Sequence, residues 1–178
     1  IIHLATHGFF WSEEDAHKRD YVTFLNPLKR VDQSAEDKAL MRSGLFFSGS
    51  IIGLRGEALP DVVEDGVLTT VQLTNMNIDH FDLVVMSAFE NRLVETSGEG
   101  VFGLQRGFKL AGANTLLMSL WKVDDTATQL LMTEFYRNYL SGKTKQESLR
   151  LAQQSLRDNA NYSDPQYWAA FILLDGLN

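Results

Sequence analysis

Two apolar runs, LVVMSA at 83–88 and NTLLMSL at 114–120, constrain the fold of this chain more than any other feature. Neither alternates apolar with polar residues. A strand with one wet face would alternate, because successive side chains point to opposite sides of the sheet. A run that stays apolar suits a strand covered on both faces, the usual condition in a mostly parallel sheet. Residues 1–6 (IIHLAT), 44–48 (GLFFS) and 168–174 (WAAFILL) read the same way. These five segments are the expected strands.

Helical patterns lie between them. Apolar residues at 101, 102, 104, 108 and 110 give one broad face, and Gly112 supplies a stop. Residues 124–139 open with two acids, favourable at a helix N-terminus. They then place Leu130, Leu131, Phe135 and Tyr139 at helical spacing. Residues 144–159 open with TKQE, a capping box of Thr144 and Glu147. SAED at 34–37 is expected to start a helix through Met41. DGVLTTVQLTN at 65–75 reads as a turn, a short strand and a short helix from Thr69. This order of elements predicts an α/β layer fold with helices on both faces of the sheet. The polar stretches 9–43 and 48–64 are expected to be long surface excursions near the functional edge, or partly disordered.

The length, 178 residues, suits about one domain, and 44% hydrophobic residues suffice for a core. The net charge of −7 argues against general nucleic-acid binding, which needs Lys and Arg to displace phosphate counterions. No apolar run is long enough for a membrane-spanning helix. Cysteine is absent, so redox chemistry does not fix the compartment, and a cytoplasmic setting is the default expectation. The chain begins inside an apolar run with no initiator Met, and reads as a fragment of a longer protein.

In open parallel sheets, sites gather at the C-terminal ends of strands. The expected ends carry Thr6-His7-Gly8, Ser87-Ala88-Phe89-Glu90 and Ser119-Leu120-Trp121. His7 suits proton transfer near neutral pH, or simply caps a strand. His3 shares its face if the strand runs unbroken, yet no further ligand has metal-site spacing. GEGVFG at 98–103 matches GxGxxG, but nine residues separate Ala88 from Gly98. A dinucleotide fingerprint needs that glycine directly after a strand, so the plainer reading is a loop letting the helix pack closely. Asp124 or Asp125 caps a helix, or selects a cation beside Trp121. Ser87 is a nucleophile candidate, or a buried serine bonded to a carbonyl. Phe89, at the lip of its strand, offers no nucleophile, acid, base or metal ligand.

Seven segments, in order, resemble one family: HLATHG at 3–8, SGLFFSG at 43–49, DGVLTTVQLTNMNI at 65–78, FDLVVMSAFEN at 81–91, SGEGVFGLQRGFKLAGANTLLMSLWKVDDTAT at 97–128, LMTEFYRNYLSGKTKQESLRLAQQSLR at 131–157 and YWAAFILL at 167–174. Together they look like a CHAT domain, the caspase-like module related to separases and often attached to tetratricopeptide repeats. The resemblance covers residues 1–178. It implies a three-layer caspase-like fold, a mostly parallel sheet flanked by helices, with its first strands upstream of residue 1. It also implies peptide hydrolysis by a Cys-His dyad, with no cofactor and no metal. By that resemblance His7 is the histidine. Gly8 and the backbone N–H at position 89 form the oxyanion hole. Trp121, Asp124 and Glu90 contact substrate, with Asp124 toward a basic side chain. The family's cysteine strand reads Ser-Ala-Cys-Glu-Thr; here it is Ser87-Ala88-Phe89-Glu90-Asn91. The expectation is an inactive pseudopeptidase that binds a protein or peptide beside a repeat domain. Two alternatives stay open: an active cysteine endopeptidase with basic-residue specificity whose nucleophile has been replaced, and a nucleotide-binding α/β domain.

Overall fold

The structure, a computed structural model, describes residues 1–10, 40, 42–50, 65–87 and 99–175. They fall into two compact units, one of residues 1–5, 81–87 and 114–175, the other of residues 6–10, 40, 42–50, 65–80 and 99–113. The chain is a mixed α/β protein.

The first unit is built on β1 (Ile2–Leu4), β5 (Val84–Met86), β6 (Leu116–Ser119) and β7 (Phe171–Leu174), in that spatial order. The first three run parallel, with Val84 beside Ile2 on one side and Leu116 on the other. All residues of β5 and β6 are buried, as their unbroken apolar runs predict. Helices α3 (Asp125–Leu140) and α4 (Lys145–Arg157) cover one face. Ala127, Leu131 and Phe135 of α3, and Leu149, Ala152 and Leu156 of α4, recur at helical spacing. They pack with Leu83, Val85 and Leu117 in one core.

Caps set the ends of these helices. The Asp124 carboxylate accepts from the Ala127 N–H at 2.9 Å, and the Thr144 hydroxyl accepts from the Glu147 N–H at 3.1 Å. Gly142, at φ 96°, follows the last turn of α3 in the left-handed conformation a C-terminal stop requires. At the N-terminal edge of the sheet, Lys145 Nζ donates to Asp82 Oδ1 at 2.6 Å and to the Thr115 hydroxyl at 3.0 Å. Tyr139 donates to the other Asp82 oxygen at 2.8 Å. The hydrogen bond from Lys145, then that from Tyr139, holds the Asp82 carboxyl below its usual range.

The expected last strand needs correction in its start. Residues 165–168 form helix α5 (Pro165–Trp168), and β7 then runs antiparallel to β6, with Leu174 opposite Leu116. Asp164-Pro165 is the physical reason: the Asp164 side chain accepts from the Gln166 N–H at 2.9 Å, and proline is preorganised for a first helical turn.

The second unit holds an antiparallel sheet of β2 (His7–Phe10), β3 (Ser43–Phe46) and β4 (Val67–Thr69), followed by α1 (Thr70–Thr74), with α2 (Glu99–Leu110) also in this unit. The segment 44–48, expected in the parallel sheet, thus belongs to a separate one as β3. Phe9 and Phe10, expected on a surface excursion, are buried strand residues. Phe9 stacks on Phe46 at 4.5 Å between ring centroids. Gly44 makes room for this: a Cβ there would lie 2.6 Å from the Phe9 ring and 2.4 Å from the Leu68 carbonyl oxygen. The turn, strand and helix expected at 65–75 are all present, and Thr69 and Gln72 form a complete capping box. The expected helix at 34–41 lies outside the described residues, apart from its Leu40.

Candidate functional site

The histidine motif does not end a parallel strand. Strand β1 stops at Leu4, and His7 opens β2 in the other sheet, opposite Phe46. Just before it, the Thr6 hydroxyl donates to the Phe46 carbonyl. His7 is exposed and Gly8, beside it, is buried. His3 and His7 consequently sit on different strands, and the unbroken face assumed for a two-histidine metal site does not exist. Among the described residues no cluster of three or more His, Asp or Glu has the arrangement of a metal site.

Phe89 and Glu90 lie outside the described residues. The strand leading to them is described through Ser87, whose N–H donates to the Leu4 carbonyl at 3.3 Å. Trp121 and Asp124 follow the C-terminal end of β6, as the sequence places them. The exposed Trp121 donates its indole N–H to the Gln166 carbonyl at 3.1 Å. Asp124 is exposed and caps α3, so the capping reading of this acid holds.

The glycine motif at 98–103 resolves into packing. Helix α2 already begins at Glu99, so Gly100 and Gly103 lie within the helix rather than in a loop between strand and helix. A Cβ on Gly103 would come within 2.8 Å of the Ser43 hydroxyl, and one on Gly107 within 2.3 Å of the Thr70 methyl. The glycines let α2 approach β3 and α1 closely. Gly112, at φ 96°, follows the end of α2 as its sequence position predicts.

One polar constellation escapes the sequence. His3 Nε2 lies 2.8 Å from the Ser87 hydroxyl, and His3 Nδ1 lies 3.0 Å from the Tyr136 hydroxyl. All three residues belong to the first unit. The sequence offered His3 and Ser87 singly; Tyr136, 133 residues from His3, carried only its place one step from the buried stripe of α3. The imidazole is partly open to solvent, and burial of the rest holds its pKa below the ordinary value. Burial pushes the Tyr136 phenol up to about 12, so it stays neutral at physiological pH.

A model of the CHAT domain matches residues 1–176. The chain belongs to the CHAT domain family. Tetratricopeptide repeat protein 28 of Homo sapiens is 28% identical over 121 residues, covering 67% of this chain and 5% of that protein. Its counterpart from Mus musculus is 30% identical over 108 residues, covering 61% of this chain and 4% of that protein. This CHAT chain thus matches a stretch of about a twentieth of its curated relatives' length. No solved structure gives a significant match. No helix among the described residues of the CHAT domain is long and apolar enough to cross a membrane.

Proposed function

We propose that residues 1–178 form a CHAT domain that recognises a protein or peptide without cutting it, as the regulatory part of a tetratricopeptide-repeat protein in the cytoplasm. The observation that carries this reading is chemical: Phe89 stands where the family's strand has its nucleophilic cysteine, and no cysteine exists elsewhere in the chain. A benzyl group has no lone pair with which to attack a carbonyl carbon. Its bulk also suits it to filling the space beside a scissile residue. A covalent mechanism through a thiolate is therefore closed to this sequence. The histidine His7 and the backbone around Gly8 and Phe89 are retained as the frame of a peptide site, with Glu90, Trp121 and Asp124 as its recognition residues.

Asp124 gives the test, because its two possible roles respond differently to one substitution. Asparagine is as good a helix cap as aspartate, but carries no charge. Asp124→Asn is expected to leave thermal unfolding nearly unchanged while weakening the binding of Arg- or Lys-containing peptides about tenfold, as measured by calorimetry. Loss of a charge-assisted hydrogen bond on the order of 1.5 kcal/mol gives that factor. Asp124→Ala should instead destabilise α3 by about 1 kcal/mol. Peptide binding by the unaltered domain with no dependence on Asp124 contradicts the pocket assignment; cleavage of the bound peptide contradicts the reading as a whole.

A further inference from the structure

We propose that Ser87, His3 and Tyr136 form a serine nucleophile, its base and the base's orienting group, giving the first unit an acyl-transfer reactivity toward small activated esters. The required geometry is a nucleophile within hydrogen-bond reach of a base, with the base held by a third group. The 2.8 Å contact from Ser87 Oγ to His3 Nε2 and the 3.0 Å contact from His3 Nδ1 to Tyr136 Oη meet both conditions. The ring planes of His3 and Tyr136 lie 40° apart, with centroids 5.6 Å from one another, so the phenol also packs against the imidazole it holds.

General-base action by His3 requires one tautomer, and both contacts accommodate it. Nδ1–H donates to the Tyr136 oxygen, leaving the Nε2 lone pair to accept the Ser87 proton. Access is provided, since His3 is exposed and Ser87 is half-buried just past the end of β5. Attack by Ser87 Oγ on an ester carbonyl forms the Oγ–C bond and passes the hydroxyl proton to Nε2. The bond from carbon to the leaving oxygen then breaks, the leaving group departs as its anion, and the Nε2 proton passes to solvent. Water next attacks the acyl carbon, giving a proton to Nε2, which returns it to Ser87 Oγ as the carboxylic acid leaves. Two features limit the substrates. A neutral phenol orients an imidazolium without neutralising it, unlike a carboxylate. The Ser87 N–H is already bonded to Leu4 and does not hold an oxyanion. Activated esters, whose leaving groups depart without a proton, are within reach of such a group; peptide amides are not.

The test uses the unaltered chain with a fluorophosphonate and with p-nitrophenyl acetate. Peptide mass spectrometry is expected to find the adduct on Ser87. The labelling rate should rise as His3 loses its proton, with a midpoint below the ordinary imidazole value of about 6.5. His3→Gln should slow labelling about 10²-fold, the contribution of a general base. Tyr136→Phe should slow it less, and replacing an exposed histidine outside either site, His80→Ala, should leave it unchanged. Absence of the adduct from the folded chain overturns the proposal without recourse to any variant. So does labelling that is indifferent to pH and to His3→Gln, which would make the contacts mere fastenings between β1, β5 and α3. Dependence on His3, which has no part in the peptide site, keeps this outcome separate from the fate of the peptide-site reading.

Discussion

Replacing Phe89 by Cys in the whole protein is expected to create cleavage of Arg- or Lys-containing peptides that the unaltered protein lacks. The gain should be at least about 10³-fold in kcat/KM, since loss of a nucleophile typically removes several orders of magnitude in rate. The substitution restores the nucleophile that the family's strand has and this chain does not. A thiol is weakly nucleophilic until a neighbouring base withdraws its proton, so the gained activity should vanish with His7→Ala. It should persist with His3→Gln, provided that variant folds. Alkylation of the new thiol by iodoacetamide gives an independent readout. An activated cysteine is modified faster at neutral pH than a free one, and loses that advantage when His7 is removed. A folded Phe89→Cys protein that cuts nothing, and whose thiol reacts like a free one, contradicts the assignment of His7 and position 89 to one frame.

The second large effect is on stability. Phe135→Ala is expected to cost about 3–5 kcal/mol, the usual loss on truncating a fully buried phenylalanine. Phe135 has no exposed surface and lies in the core that α3 and α4 share with the sheet. It contacts Tyr136 edge-on at 5.3 Å and stacks on Tyr139 at 5.8 Å between centroids. Removing the ring leaves a cavity lined by side chains that helices cannot easily draw together. The unfolding midpoint should fall on the order of 10 °C. Leu140→Ala, on the same helix but 75% exposed, should stay within about 0.5 kcal/mol. Equal effects at the two positions would contradict the placement of the core. The fall should also loosen Tyr136, and so slow any labelling of Ser87.

What the sequence made legible follows from how local each determinant is. The burial of β5 and β6 could be read because Val84, Val85 and Met86, and Leu116 to Ser119, carry the pattern within a few residues. The starts of α3 and α4 could be read because Asp124 and Thr144 act on N–H groups three residues away. Strand pairing is not local. Nothing within HLATHG signals that His3 and His7 go to separate sheets; that depends on Phe46, some forty residues on, pairing with His7. Nor does an apolar run such as FILL disclose its direction, since both faces of a parallel and of an antiparallel strand can be buried. The glycines at 100 and 103 have the spacing of a phosphate loop. Only the position of Ser43 against Gly103 shows that packing explains at least one of them. Of the candidate site, Phe89 was legible by comparison with the family's strand. The link from Ser87 through His3 to Tyr136 was not, because it joins three elements distant in the chain.

That this chain, as its sequence stands, breaks no peptide bond is the proposal on which its suggested function rests. It is tested most directly by incubating the unaltered whole protein with Arg- and Lys-containing peptides and following the products by mass spectrometry, beside its His7→Ala variant. Intact peptide is expected in both samples. Cleavage by the unaltered protein that disappears when the His7 imidazole is removed would contradict it.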